Sequence, residues 1–369
     1  MKLLSIVAGV LVLASCNQGT QTNTEQTTEE STVSQKPDLA DSSESHLLNL
    51  HQLTYGGDNA EAYFSFNNRK LVFQSNNEAW GVNCDQIFTF DIEAAEKDTL
   101  KPKMLSTGFG RTTCSYFMPD GGHILYGSTH LADSQCPPEV RPEKGGPYLW
   151  SIYAGYDIFV ADLEGNITAQ LTDEPGYDAE ATVSPKGDKI VFTSTRSGDL
   201  ELYTMNIDGS NVTQITDQLG YDGGAFFSPD GSKLVFRSSR PKTEEEIARY
   251  KGYLERGLVA PTNMEIYTCN ADGSDLKQIT NLGKANWAPF YHPSGKKIIF
   301  SSNHFSERGY EFQLFMINED GTGLEQITTQ SNFNAFPMFS YDGKKIVFSS
   351  NRNNGGTRET NMFIADWVE

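Results

Sequence analysis

The chain has 369 residues, enough for one large core or two modest ones, and its 48 acidic against 29 basic side chains leave a formal charge of −19. That balance excludes nucleic acid as a general partner, because phosphate binding needs a surplus of Lys and Arg on some face. Plentiful aromatics and glycines, few long helical patterns, and short apolar segments separated by Asn, Asp, Gly and Ser exclude a helical bundle and predict an all-β protein.

In chain order, the first segment is MKLLSIVAGVLVLASC, one Lys before an apolar run too short to cross a bilayer as a mature helix. It reads as an export signal over residues 1–15. Leu13-Ala14-Ser15-Cys16 resembles a bacterial lipobox, which makes Cys16 the expected lipid-bearing residue. Residues 16–45, rich in Thr, Ser, Gln and Glu, have too few large apolar side chains to offset the entropy of ordering and are expected to be a flexible tether. Everything from 46 to 369 is assigned to one domain.

That domain is repetitive. Lys70-Leu71-Val72-Phe73 recurs in kind at His123–Tyr126, Lys189–Phe192, Lys233–Phe236, Lys297–Phe300 and Lys345–Phe348. A turn glycine precedes five of the copies, at Gly121, Gly187, Gly231, Gly295 and Gly343, and Asn67-Asn68 replaces it in the first. A third strand follows each copy, at Ile87-Phe88, Ile158-Phe159, Leu202-Tyr203, Ile266-Tyr267, Leu314-Phe315 and Met362-Phe363. A fourth carries Gln-aliphatic-Thr, as in Gln170-Leu171-Thr172 and Gln214-Ile215-Thr216. Four short strands per repeat and six repeats predict a six-bladed β-propeller. The last repeat lacks its fourth strand, and Gln52-Leu53-Thr54 stands unclaimed before the first. Pairing the two would close the ring, with Leu48 and Leu53 as the apolar contacts of the closing strand.

Two long insertions are expected on one face, called the top, opposite the Asp-Gly turns: 129–156 in the second repeat and 241–263 in the fourth. The fourth-repeat insertion begins Thr243-Glu244-Glu245-Glu246, a capping-box spacing, with Ile247, Tyr250 and Leu254 on one helical face and Gly257 at the end. This helix is either a lid or a plain cover over blade edges. The second-repeat insertion, broken by Pro and Gly, offers Tyr148, Trp150 and Tyr153, which line a cleft or bury beneath the loop.

The phrases FFSPDGSKLVFRSSR, ELYTMNIDGSNVTQIT and EIYTCNADGSDLKQIT resemble the repeats of the TolB-like, "WD40-like" bacterial propellers, and the likeness runs from about Gln52 to Glu369. The resemblance implies the fold more than a function, since such blades occur in envelope binding proteins, in peptidase-associated propellers and in oligogalacturonate lyases. TolB itself has a further N-terminal α/β domain with no counterpart here, so the resemblance does not imply a Tol-Pal role.

Two rings of residues are the candidate ligand site at the channel mouth. Asn59, Thr112, Asp178, Asp222, Asn286 and Asn334 begin the first strands, and Asn77, His130, Arg196, Arg240, His304 and Arg352 follow the second; Arg111, Glu180 and Trp287 join them. The cations outnumber the carboxylates, which would suit an acidic sugar or a carboxylate-bearing peptide. The competing reading is that each Arg pairs with an Asp or a backbone carbonyl of its own or the adjacent blade. Cys84, Cys114 and Cys136 could approach the same face, as a disulfide between two of them or, with a His, as a zinc site; Cys269 reads as core.

No HExxH, GxSxG, P-loop or GxGxxG is present. The first functional reading is therefore a monomeric, non-enzymatic binding or scaffolding module without cofactor, held by the lipid on Cys16 in the bacterial envelope, at the outer membrane facing the periplasm or the surface. Its partner would be an envelope protein, a peptide or an acidic saccharide. The alternative is a lyase or hydrolase of acidic saccharides assisted by a divalent metal, with His130, His304 and the Arg ring for proton transfer and carboxylate binding.

Overall fold

A computed structural model describes residues 36–97, 101–138, 140 and 146–369. The expected leader, Cys16 and the tether as far as residue 35 lie outside the described residues, as do 139 and 141–145 of the second-repeat insertion.

The repeats form antiparallel four-strand meanders around a ring. The first comprises Asp58–Phe64, Lys70–Asn76, Gln86–Asp91 and Lys103–Met104. The fourth comprises Asp222–Phe227, Lys233–Ser239, Met264–Asn270 and Lys277–Gln278, and the fifth Asn286–Tyr291, Lys297–Ser302, Gln313–Asn318 and Glu325–Gln326. The last contains Asn334–Phe339, Lys345–Ser350 and Asn361–Trp367, completed by Leu47–Gln52 from the other end of the chain.

One expectation about this architecture is corrected. Only four blades stand as separate four-stranded sheets, not six, because the second and third repeats share a single eight-stranded sheet. Gly155 and Tyr156 pair in parallel with Gly176 and Tyr177 and join Gly155–Asp162 to Gly176–Val183. Both residues of the first pair are glycine, so no side chain holds the two backbones apart. The inner strands nonetheless pack in a closed cycle: Asp58–Phe64, Thr112–Phe117, Gly176–Val183, Asp222–Phe227, Asn286–Tyr291, Asn334–Phe339 and back to Asp58–Phe64.

The repeated letters have visible structural work. The turn residues Asn68, Gly121, Gly187, Gly231, Gly295 and Gly343 all have φ of 60–72°, the left-handed region the tight hairpin requires. Phe73, Tyr126, Phe192, Phe236, Phe300 and Phe348 are buried between blades, and each lies opposite the third-strand aromatic of its own repeat, with ring centroids 6.0–6.4 Å apart. Such cross-strand aromatic pairs add about 0.5–1.5 kcal/mol each beyond the area they bury. In the Gln-aliphatic-Thr motif, the hydroxyls of Thr172, Thr216, Thr280 and Thr328 accept the backbone N–H of Ile158, Leu202, Ile266 and Leu314 at 2.8–2.9 Å, fastening the short outer strand to the third.

Thr54 repeats that contact across the closure, accepting Met362 N–H at 2.9 Å. Leu47↔Trp367 and Gln52↔Phe363 set the antiparallel register there. Leu47 and Leu50, rather than Leu48, supply the buried side chains beside Leu53; Leu48 points outward and is 49% exposed. Residues 36–45, expected as part of the tether, instead lie against the domain. Leu39 packs against the closing blade, Lys36 Nζ donates to Gln52 O at 3.1 Å, Leu50 N–H donates to Asp38 Oδ1 at 2.8 Å, and the buried Glu44 carboxylate holds Arg352, so 36–45 is anchored to the propeller.

Candidate functional site

Each inner strand carries a β-bulge at the same register. The bulged residues are Glu61, Cys114, Glu180, Gly224, Ala288 and Phe336, with φ between 41° and 60°. A bulge re-aims the side chain it carries, and here it turns all six positions toward a central cavity of about 900 Å³ that they line. Three of the bulged amides donate to a side chain of the preceding repeat: Cys114 N–H to Gln74 Oε1 at 3.1 Å, Gly224 N–H to Glu180 Oε2 at 2.9 Å and Phe336 N–H to Ser301 Oγ at 3.0 Å.

Glu180 and Arg237 form the central ion pair. Glu180 also accepts from Thr193 Oγ1 at 2.7 Å and Tyr221 Oη at 2.7 Å. Burial alone would raise its pKa, but Arg237 and these hydrogen bonds outweigh it and hold the carboxyl below its ordinary value. Arg237 lies between the rings of Trp150 and Tyr221, 5.3 and 5.0 Å from their centroids. It fits only because the facing residues are glycine: a Cβ on Gly224 would lie 1.9 Å from Arg237 Nη1, and one on Gly223 would lie 2.5 Å from Glu180 Oε2. Arg237 uses Nη2 for its bonds, and its buried Nε has no hydrogen-bond partner among the described residues.

Across the cavity, Glu61 accepts a hydrogen bond from the Cys114 thiol at 2.9 Å. Burial, reinforced by the nearby Glu180 charge and opposed by the thiol bond, raises the Glu61 carboxyl to about 7. Cys114 stays a thiol, its pKa pushed well up by burial and then by the Glu61 charge.

The two insertions build the roof together. Trp150-Ser151 pairs antiparallel with Leu258-Val259, Ile152 N–H donates to Gly257 O at 2.7 Å, and Trp287 Nε1 donates to Pro261 O at 2.9 Å. Trp150, Trp287 and Phe312 form a chain of rings with centroids 5.1 and 4.2 Å apart. Tyr148, Trp150 and Tyr153 all line the cavity, which is the cleft alternative. The helix spans Glu244–Leu254 with the expected capping box of Thr243 and Glu246. It contributes no residue to the described wall, however; with Tyr250 bonded to Asp199, it supports the ribbon from outside instead of acting as the lid. Cys84 and Cys136 form a disulfide that ties the start of the second-repeat insertion to the first blade.

The two rings read from sequence fall mostly outside this cavity. Asn59, Thr112, Asp178, Asp222, Asn286 and Asn334 are buried between blades, where Asn59 donates to Thr360 O and Asn286 to Met264 O, stapling each blade to the one before. The expected cationic excess is corrected: Arg196 pairs with Asp178 at 2.7 Å, Arg240 with Asp222 at 2.7 and 2.8 Å, Arg352 with Glu44 at 2.9 and 3.0 Å, and Arg111 with Asp85 at 2.6 Å. Asn77 caps a short turn at Ala79. Of the named residues, Glu180, Arg111, Thr112 and Trp287 reach the cavity. Glu61 and Arg237 were missed, although Arg237 is the charged member at a repeat position otherwise held by Gln74, Gly127, Thr193, Ser301 and Ser349.

The metal expected for the enzymatic alternative does not fit these residues. His130 and His304 each bond a serine, Ser128 and Ser302, at 2.9 Å, and each ring sits against Phe159 or Phe315. Burial lowers both pKa values, neither ring lines the cavity, and no cluster of three His, Cys, Asp or Glu suited to a metal occurs among the described residues.

Comparison with known proteins agrees with the geometry of the fold. Residues 151–251 match the TolB beta propeller domain family. A structure described as TolB from Agrobacterium tumefaciens is 18% identical with a TM-score of 0.55, over 85% of this chain and 91% of that one. TolB from Acinetobacter baumannii is 17% identical with a TM-score of 0.51, over 85% of this chain and 64% of that one. An oligogalacturonate lyase in complex with manganese is 14% identical with a TM-score of 0.48, over 87% of this chain and 93% of that one. With its closed ring of meanders and a matching repeat segment, the chain has a β-propeller fold similar to that of the TolB structures.

Proposed function

We propose that this propeller is a non-enzymatic binding module of the bacterial envelope that takes its ligand, or a segment of a partner protein, into the roofed cavity. The observation that carries this reading is the pairing of two insertions from different repeats over a cavity of about 900 Å³, a size that encloses most of a small ligand. Trp and Tyr on the roof supply rigid apolar faces with polar tips, the composition of binding sites. The neutralised Arg ring argues against an acidic saccharide, and the pinned His130 and His304 argue against the lyase alternative. The site needs no cofactor.

Anchoring through a lipid on Cys16, after removal of 1–15 and by way of a tether over 16–35, belongs to the same proposal. No helix among the described residues is long and apolar enough to cross a membrane.

Roof variants test the cavity reading. Trp150→Ala should weaken capture of an envelope ligand or partner by at least about tenfold, while Arg196→Ala should leave affinity per folded molecule unchanged. The reverse pattern would move the site to the ring. Cys16→Ala should shift the protein from the membrane to the soluble fraction or leave uncleaved precursor; a wild type already soluble after export would refute the anchor.

A further inference from the structure

Within the cavity reading just proposed, the charges on the wall identify the ligand's chemistry. The described lining residues include three carboxylates, Glu61, Asp85 and Glu180, and three guanidiniums, Arg111, Arg237 and Arg308. Arg111 sits on Asp85 and Arg237 on Glu180. Arg308 lies exposed at the mouth, against Tyr310. Among the described residues Glu61 is the carboxylate of this wall with no ion-pair partner: Oε2 accepts from the Cys114 thiol, and Oε1 accepts no hydrogen bond from them.

The bulge holds Glu61 in the left-handed region at φ 55°, which costs about 1 kcal/mol or more for a residue other than glycine. Aromatic faces surround the same space, among them Tyr63, Trp150, Tyr156, Tyr177, Tyr221 and Trp287. An unpaired carboxylate facing an aromatic cavity attracts a positive charge, and the ring quadrupoles add to that attraction.

We propose that the cavity binds an organic cation, a primary or quaternary ammonium group, with Glu61 as its counter-ion and the tyrosine and tryptophan rings as its cage. The Glu180–Arg237 pair is internally neutral and stacked between Trp150 and Tyr221, so it does not oppose a positive guest. The net charge of −19 raises the concentration of cations at the surface and speeds their entry. The ammonium could come from a free amine or lipid headgroup, or from a lysine of a partner protein, and the cavity chemistry is the same for each.

Glu61 also makes binding pH-dependent. The groups facing it are Cys114 beside it, Glu180 and Arg237 across the cavity, Asp85 from the first blade and Tyr63 two positions along its own strand. Cys114 and Tyr63 stay neutral, and the other three are held in ion pairs. As pH falls through about 7, Glu61 takes up a proton and the cation loses its counter-ion.

Titration calorimetry of the purified domain tests the inference with choline, ethanolamine, Nα-acetyl-lysine methylamide, the neutral choline isostere 3,3-dimethylbutanol, and galacturonate. At least one ammonium probe should bind at pH 8 about tenfold or more tighter than dimethylbutanol, weaken toward pH 6, and release a proton there. Choline and ethanolamine against the lysine derivative distinguish a headgroup from a partner side chain. Glu61→Gln, with its melting temperature checked, should lose about tenfold in affinity and all of the pH dependence. Dimethylbutanol or galacturonate binding as well as the ammonium probes, unchanged affinity in Glu61→Gln, or no binding of any ammonium probe would each overturn the cation assignment. The cavity reading stands or falls separately, by the Trp150→Ala test.

Discussion

Replacing Arg237 by methionine keeps the aliphatic stem under Trp150 and removes the charge. Glu180 would then stay buried with Thr193, Tyr221 and the Gly224 N–H as donors but no cation. Breaking a buried ion pair by removing one partner costs about 3–5 kcal/mol, since the remaining charge is uncompensated. Wild-type Glu180 has a depressed pKa, so its pair stabilises the fold above the unfolded-state pKa and that contribution fades as pH falls through the folded-state pKa. In Arg237→Met the carboxyl is raised instead, so the variant recovers part of its deficit when Glu180 takes up a proton. Urea unfolding of both proteins at pH 8 and pH 5 should therefore show a gap of about 3–5 kcal/mol at the higher pH and a smaller one at the lower. Adding Glu180→Gln should restore much of the loss. A gap below about 1 kcal/mol at pH 8, or one of equal size at both pH values, would refute the claim that an uncompensated Glu180 is the cause.

Three other outcomes follow from contacts elsewhere. Arg240→Ala, which strands the buried Asp222, should lower stability by about 3 kcal/mol without changing ligand affinity per folded molecule, checked by melting and calorimetry on one preparation. Leu50→Ala in the closing strand should cost about 2–5 kcal/mol in urea unfolding, whereas Leu48→Ala should cost little. Cys84 and Cys136 lie 52 positions apart, so reduction should destabilise the domain by about 4 kcal/mol on loop entropy, and of the four described cysteines two should react with a thiol reagent in denaturant before reduction and four after.

The repeat was legible because its letters answer local demands. A positive φ calls for Gly231 or Asn68, an interblade gap takes Phe236, and an outer strand is fastened by Thr216, whatever the ligand. The site was less legible because a bulge changes which residue faces where. In a regular strand Asp178 and Glu180, two apart, would share a face; the bulge sends Asp178 between blades and Glu180 into the cavity. Reading position Asp178 as channel-facing therefore selected the whole staple ring in place of the bulge ring two residues on. The Arg partners were partly hidden by distance along the chain: Asp178 and Asp222 lie 18 positions from their arginines, but Glu44 lies 308 from Arg352. The roof joins two insertions about 100 residues apart, a pairing that two-residue strands leave no pattern to announce.

The closure of the last blade sets an order of events. Thr54 bonds a backbone 308 positions later, so a chain emerging N-terminus first must hold Leu47–Gln52 unpaired until Asn361–Trp367 arrives. Contacts of such separation form slowly, since the loop entropy is lost before the ladder bonds are gained. Throughout that wait Leu47 and Leu50 remain uncovered and one strand edge stays open to other chains. Ring closure thus ends the interval in which Leu47–Gln52 lies unpaired, and a holding chaperone should be most effective on nascent chains shorter than about residue 361.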